Sequence, residues 1–391
     1  MKYQSKPIGV LVVFFLCMAT LSPTSNIEAA PSDSPSISAE SAAVIDVASG
    51  RILFEKNGHK QMRIASLTKT LTAITAIESS DINQMVTVPD QAVGVEGSSI
   101  FLKRGEKLTL EQLLYGLMLR SGNDAATAIA MQVGGSTQGF ATMMNEKASF
   151  IGMTESNFTN PHGLDDSDEH YSTAIDMVKL SAYALKNPAF QQIVSTKVKN
   201  IPWDGEKWER RLQNKNKMLH LYKGADGVKT GFTKKARRCL ASSATRDGRQ
   251  LAVITLNASD DWKDHANLLD FGFQQYSEHT LLEKGKSWSL PDHLKNKENK
   301  DWILTVQDSF RYPLQAGEEQ HVRTKWNVTL PLKKSSLNQQ AGFIELYLHD
   351  DLIGKMPVTL QQAKDTFQQF DEPSSSWKNV MQWLRGGAKS A

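Results

Sequence analysis

Cysteine is nearly absent from this chain: Cys17 and Cys239 are the two in 391 residues. Cys17 lies in a leader-like stretch, so the mature protein is expected to carry one thiol and no internal disulfide. An exported protein without cysteine pairs fits a bacterium better than a eukaryotic secretory route. Charge of one sign is also lacking. The formal net charge is +3, and no basic patch interleaves with aromatics, which argues against a nucleic-acid partner. The one long apolar run, "IGVLVVFFLCMATL", is short for a membrane span and is followed by no stop-transfer pattern.

That run follows Lys2 and Lys6 and precedes the small residues of "SNIEAA". Residues 1–30 therefore read as a signal peptide cleaved after Ala29 or Ala30. The residues before Cys17 are bulky, which argues against lipidation there. Residues 31–37, rich in Pro and Ser, read as a linker. The length that remains is too great for one ordinary core and implies two domains.

The first domain is expected over residues 38–276. "SAAVIDVASGRILFEKN" reads as two strands turned at Ser49–Gly50. After Ser66, the spacing of Leu67, Leu71, Ile74 and Ile77 predicts a helix with a broad buried stripe. "TLEQLLYGLMLRSG" predicts a helix capped by Thr109 and stopped at Gly122, and "NDAATAIAMQVGG" a third helix closed by paired glycines. Residues 228–257 return to strand character, with Asp247–Gly248 as a hairpin turn. Strands from both ends with helices between them predict an α+β domain, an antiparallel sheet flanked by helices.

A smaller all-β domain is expected over residues 277–371. "HVRTKWNVTL" places Val322, Trp326, Val328 and Leu330 on one face of a half-buried strand. "GFIELYL" and "LIGKMPVTL" form a hairpin turned at His349–Asp350–Asp351. Residues 372–391 form a tail in which Trp377, Val380, Met381 and Leu384 share one helical face. Two readings of it stand: a short helix on an anionic membrane surface, or one docked on the β domain.

Three polar constellations carry chemistry. Ser66 and Lys69 share a helix face, so the amine can reach the hydroxyl; apolar neighbours would lower the Lys pKa and free the amine as a base. At the start of a helix, the Ser66 backbone N–H would also be unpaired and free to bind an oxyanion. Ser121-Gly122-Asn123 joins two apolar helices and can project polar groups into a cleft. Lys229-Thr230-Gly231 lies on a strand edge where an extended substrate can lie. A second Ser-x-x-Lys, Ser375 to Lys378, has no such partners and reads as linker and cap, and Ser336-Leu337-Asn338 reads as a loop.

The ordered set Ser-x-x-Lys, Ser-x-Asn, Lys-Thr-Gly is the signature of penicillin-binding proteins and class A β-lactamases. With "AAVIDVASGRILFEKN", "NPHGLDDSDEHYSTA", "NKNKML" and "GVKTGFTKKARRCLASSATRDG", the chain resembles a low-molecular-mass penicillin-binding protein, a serine-type D-Ala-D-Ala carboxypeptidase. The likeness runs from about residue 38 to 370. "KKARRCL" and "DDWKDH" resemble the sporulation-associated branch of that family. The resemblance implies a β-lactamase/transpeptidase-like fold with Ser66 as nucleophile, Lys69 as its base and Ser121 as proton relay. It implies that Asn123 holds the substrate amide, that Lys229 and Thr230 face the terminal carboxylate beside Gly231, and that the N–H groups of Ser66 and Phe232 bind the oxyanion. Its substrate would be the peptidoglycan stem peptide, its inhibitors β-lactams, its place the cell wall or outer face of the cytoplasmic membrane. No metal or organic cofactor is implied. Lys215 and Arg237 stand where relatives differ, and a Lys offers a carboxylate a point charge in place of a fork.

Three rival readings remain. A class A β-lactamase needs a Glu-x-x-Leu-Asn element, which the chain between Asn123 and Lys229 lacks. A metal hydrolase would use "HGLDDSDEH", but His162, Asp165, Asp166, Asp168, Glu169 and His170 match neither a helical His pair nor a calcium loop. That segment is expected to be a solvated loop. A wall-binding protein with a vestigial site is the third, and the intact set of polar residues argues against it.

Overall fold

A computed structural model describes residues 34–329 and 332–363. The expected signal peptide, residues 31–33 of the linker, Leu330 and the tail helix lie outside the described residues. Strands β1 (Ser41–Asp46) and β2 (Ile52–Lys56) form the first hairpin, where Gly50 takes a φ of +76° that favours glycine. A 3-10 turn, Ala65–Leu67, then leads into α1 (Thr68–Ser79). Every residue from Thr68 to Ala76 is buried, so this helix is enclosed on all sides rather than along one stripe.

The pair β3 (Met85–Thr87) and β4 (Lys107–Thr109) feeds α2 (Leu110–Leu119). Thr109 starts α2 with a capping box: its hydroxyl accepts from the Gln112 N–H, and Gln112 Oε1 accepts from the Thr109 N–H. The helix ends before Gly122, because Ser121 has a φ of +64°, which a right-handed helix cannot continue through. Next comes α3 (Asn123–Gly134), closed by the left-handed Gly135. Three further helices are capped by side chains: α4 (Thr137–Ile151) by Ser136, α5 (Ala174–Leu185) by Thr173, and α6 (Pro188–Ser195) by Asn187. Helices α2 to α6 all pack on α1.

A hairpin of β5 (Val198–Ile201) and β6 (Arg210–Gln213) and a single turn, α7 (Met218–Leu221), lead to β7 (Ala225–Thr233). Then follow β8 (Arg237–Arg246), β9 (Arg249–Leu256) and α8 (Asp261–Gln275). The sheet is antiparallel with order β2-β1-β9-β8-β7, which leaves β7 at an edge. Alternation divides its side chains: Ala43, Ile45, Ala252 and Ile254 join the core of helices α1 to α6. Ala42, Val44, Leu251 and Val253 pack with Leu268 and Leu269 of α8. Both faces are covered, so β1 and β9 read as nearly continuous apolar runs.

The second domain comprises β10 (Ser277–Leu282), β11 (Ser287–Ser289), β12 (Trp302–Val306), β13 (Phe310–Leu314), β14 (Val322–Val328), β15 (Gln340–Leu348) and β16 (Asp351–Gln362). A five-stranded sheet of order β11-β12-β16-β15-β14 packs beside the β10–β13 pair. The expected strand from Val322 is its edge, and the expected hairpin is β15–β16. Arg51, in the β1–β2 turn, donates to both carboxylate oxygens of Glu318 and to the Pro313 carbonyl, and its guanidinium lies over the rings of Tyr276 and Tyr312. This bidentate, stacked contact is one that lysine cannot make.

One buried ion pair bears on the site. Arg210 donates to both oxygens of Glu106 at 3.0 and 3.2 Å and reaches the Phe101 carbonyl, and both side chains are at most 5% exposed. It ties β6 to the segment Ser98–Glu106. Glu106→Ala strands a buried guanidinium and should lower stability by about 3–5 kcal/mol. Glu106→Leu with Arg210→Met should restore most of it. Denaturant midpoints of the three proteins check this, and equal losses in the single and double variants would overturn it.

Candidate active site

Ser66 sits in the 3-10 turn, two residues before α1 begins, so the expected helical start is a tighter turn. Ala65 before it takes a φ of +48°, a left-handed value uncommon for a residue with a Cβ. The Ser66 N–H donates to no acceptor among the described residues. Edge strand β7 passes close by. A Cβ on Gly231 would lie 3.3 Å from the backbone N of Ser66 and of Leu67, and 3.2 Å from the Ile64 carbonyl, so glycine lets this strand approach the turn.

Lys69 is fully buried. Its Nζ lies 2.9 Å from Ser66 Oγ, 2.7 Å from Asn123 Oδ1 and 2.6 Å from the His162 carbonyl. Burial pushes its pKa well below the ordinary lysine value, with the charges of Lys229 and Lys215 adding to the effect and Asp124 opposing it. A neutral amine has two N–H bonds and one lone pair. Asn123 Oδ1 and the His162 carbonyl can only accept, so they take both N–H bonds and leave the lone pair for the Ser66 hydroxyl. Asn123 is held in this orientation because its Nδ2 donates to the Glu96 carbonyl at 2.5 Å.

Ser121 and Asn123 occupy the expected connection between α2 and α3, and both are buried. The Ser121 hydroxyl makes no hydrogen bond among the described residues. Asp124 holds the facing loop: its carboxylate accepts from the N–H groups of Ile100 and Leu102 and from the Ser99 hydroxyl. Lys229 on β7 is buried, and its Nζ donates to the Thr230 carbonyl at 2.8 Å. Burial, followed by the neighbouring Lys215 charge, lowers its pKa from 10.5 to about 7. Lys215 donates to the Ser98 hydroxyl at 3.1 Å, while Arg237 stands exposed with a φ of +60°. Thr230 is half-buried, and Phe232 is 63% exposed at the end of the strand. Cys239 pairs with Gly231 in the sheet; burial pushes its thiol up to about 12, so it remains protonated and unreactive.

The segment expected to be a solvated loop is partly buried, which corrects that expectation. Arg63 pairs with Asp165 and Asp168 on the exposed side, and Asn160 Nδ2 donates to Asp166 at 2.7 Å. His162 and His170 turn inward instead, and burial drops their pKa values to about 3 and about 4. Asn160 Oδ1 accepts from the N–H groups of His162 and Gly163 and shapes the turn that presents the His162 carbonyl to Lys69. That carbonyl was not legible beforehand, because a backbone acceptor leaves no trace in residue types, and His170 reads in the sequence only as a candidate metal ligand in a segment expected to be solvated.

Comparison with known proteins agrees with this geometry. Residues 27–260 match the family model of D-alanyl-D-alanine carboxypeptidase, and residues 276–366 match that of the penicillin-binding protein 5 C-terminal domain. The chain is 30% identical over 339 residues to D-alanyl-D-alanine carboxypeptidase DacF of Bacillus subtilis, covering 83% of this chain and 85% of that one. It is 32% identical over 352 residues to D-alanyl-D-alanine carboxypeptidase DacD of Escherichia coli, covering 84% and 88%. The crystal structure of penicillin binding protein 5 from Haemophilus influenzae superposes with a TM-score of 0.69 at 25% identity, over 84% of this chain and 98% of that one. A buried lysine poised on a serine, on this fold and across this length of matching sequence, places the chain in the D-alanyl-D-alanine carboxypeptidase family of low-molecular-mass penicillin-binding proteins.

Proposed function

We propose that this protein is a penicillin-sensitive, serine-type D-Ala-D-Ala carboxypeptidase that trims peptidoglycan stem peptides through an acyl-enzyme on Ser66. The observation that carries this reading is the lone pair of Lys69 aimed at Ser66 Oγ from 2.9 Å. Lys69 accepts the hydroxyl proton as Ser66 attacks the penultimate D-Ala carbonyl. The backbone N–H groups of Ser66 and Phe232 bind the oxyanion, and Ser121 passes a proton to the departing D-Ala nitrogen. Asn123 Oδ1 keeps a second lone pair for the substrate amide N–H. Charged Lys229, with Thr230, faces the terminal carboxylate across the gap that Gly231 leaves, and Lys215 adds positive potential there. Water then hydrolyses the acyl-enzyme. The catalytic domain is assigned to residues 38–276 and the β-rich domain to 277–371.

The protein acts outside the cytoplasm, in the cell wall or on the outer face of the membrane; the leader composition of residues 1–30 supports this. Membrane contact through residues 372–391 is supported by the apolar and basic faces of that segment. Among the described residues, no helix is long and apolar enough to cross a membrane. A role in spore-cortex maturation is supported by the resemblance of "KKARRCL" and "DDWKDH".

Two experiments test the site. Ser66→Ala should abolish labelling by a fluorescent penicillin and cut D-Ala release from a pentapeptide by about 10⁴-fold or more. Labelling that survives in this variant would overturn the nucleophile. In the free enzyme kcat/KM should rise on the acid side as Lys69 loses its proton. It should then fall above about pH 7 as Lys229 loses the charge that attracts the carboxylate. Lys229→Arg stays charged throughout and should remove the alkaline limb; an unchanged limb assigns that titration to another group.

A further inference from the structure

His170 lies 3% exposed behind the nucleophile, out of reach of any substrate, and the mechanism above does not use it. Its hydrogen bonds run in one direction. The Thr159 N–H can only donate, and it points at His170 Nδ1 from 3.1 Å, so the ring hydrogen sits on Nε2. Nε2–H then donates to Thr68 Oγ1 at 2.8 Å. With that hydroxyl accepting from the ring, its own hydrogen goes to the Ala65 carbonyl, 2.9 Å away. The ring is held from the side by Phe158, edge to face at 5.7 Å.

The Ala65 carbonyl and the Ser66 N–H belong to one rigid, planar peptide unit and point in opposite directions. Whatever pins that oxygen therefore aims that N–H. Pinning is needed, because Ala65 at φ +48° occupies a region that a residue with a Cβ enters at a cost unless its surroundings fix it. Gly163, from the same loop as His170, closes on the same oxygen. A Cβ at that position would lie 1.9 Å from the Ala65 carbonyl and 2.7 Å from Thr68 Oγ1.

We propose that His170 is a positioning residue that acts through Thr68 to lock the Ala65–Ser66 peptide, and so sets the direction of the Ser66 N–H as an oxyanion donor. The inference rests on the reading of Ser66 as the acylated nucleophile. It predicts that His170 contributes to the acylation step and not to initial binding, since only the developing oxyanion uses that N–H.

The test measures acylation of the purified full chain by a fluorescent penicillin in rapid mixing, separating the non-covalent Kd from the acylation rate constant. His170→Ala should slow acylation by about tenfold to a hundredfold, short of or equal to the loss of a whole oxyanion donor, with Kd within about twofold of wild type. His170→Gln, whose amide oxygen can accept from Thr159 while its NH₂ donates to Thr68, should recover acylation to within about fivefold of wild type. Thr68→Val, which removes the hydroxyl at similar size, should reproduce the His170→Ala defect. The His170→Ala/Thr68→Val pair should be no slower than either alone, as expected for two links of one chain. Unchanged acylation in His170→Ala, a loss carried by Kd, absence of rescue by Gln, or additive losses in the pair would each overturn the proposal. If His170→Ala fails to fold, Thr68→Val and His170→Gln still carry the test. Labelling of Ser66→Ala, by contrast, removes the underlying reading, an outcome separate from wild-type acylation in the His170 variants.

Discussion

A lysine amine kept out of water is the constraint on which the site depends. Burying an ammonium is costly, and the structure lowers that cost by letting Lys69 hold its amine neutral. Neutrality alone does not make a base, because a freely rotating amine can point an N–H at the serine as readily as its lone pair. Direction comes from two obligate acceptors, Asn123 Oδ1 and the His162 carbonyl, which occupy both N–H bonds. Each acceptor is held in turn, Asn123 by the Glu96 carbonyl and the His162 turn by Asn160. Two loops far apart in sequence therefore serve one nitrogen. This also explains why α1 is buried on every side: helices α2 to α6 form the dry wall around it.

The same electrostatics divide labour between lysines. Lys69, Lys229 and Lys215 act on one another as like charges, so protonating one makes protonating the next harder. Lys69 is held well below the ordinary lysine range by its burial and by the charges of Lys229 and Lys215, which Asp124 opposes. Lys229 titrates near neutrality, and partial desolvation and the Arg120 charge lower the pKa of the more exposed Lys215. An incoming carboxylate adds a negative charge on the Lys229 side and favours the charged form there. On the proposed function, substrate binding would reinforce a state with one lysine charged and one neutral, the pairing that an anchor and a base require.

Much of the frame was legible because it rests on local rules. The β-rich runs of β8 and β9, the positive φ pair at Asp247 and Gly248, and the Thr109 cap each follow from a few adjacent residues. The three polar motifs were legible through their order along the chain. Other features were not. Helix α8 buries Leu268, Leu269 and Gly272 but carries charges through its first turns, and its buried Asp264 caps nothing in α8; it accepts from Ser38 and Ala39. The segment from His162 to His170 looked polar by composition, yet His170 is buried and His162 is partly so. The His170 ring bonds Thr68 and the His162 carbonyl bonds Lys69, both at the start of α1 about a hundred residues earlier, which no local pattern encodes.

The edge strand β7 poses a conflict that the Lys-Thr-Gly segment resolves. A substrate can pair with a strand only if that strand is unpaired on one side, and an unpaired edge invites association with other chains. Here the edge is short of that hazard for a physical reason: it runs beside the Ser66 turn at a distance that a Cβ on Gly231 would crowd, so the open side is a narrow slot rather than a flat template. Lys229 is buried within the strand, and the turn after it carries Lys234 and Lys235, with Arg237 at the start of β8, whose charges oppose pairing with a second copy. An extended peptide ending in a carboxylate meets the reverse condition, because the positive potential that repels another such edge attracts its terminus. On the proposed function, the charge that protects the edge and the charge that would select the substrate are therefore of one sign, and Gly231 would give that substrate its room.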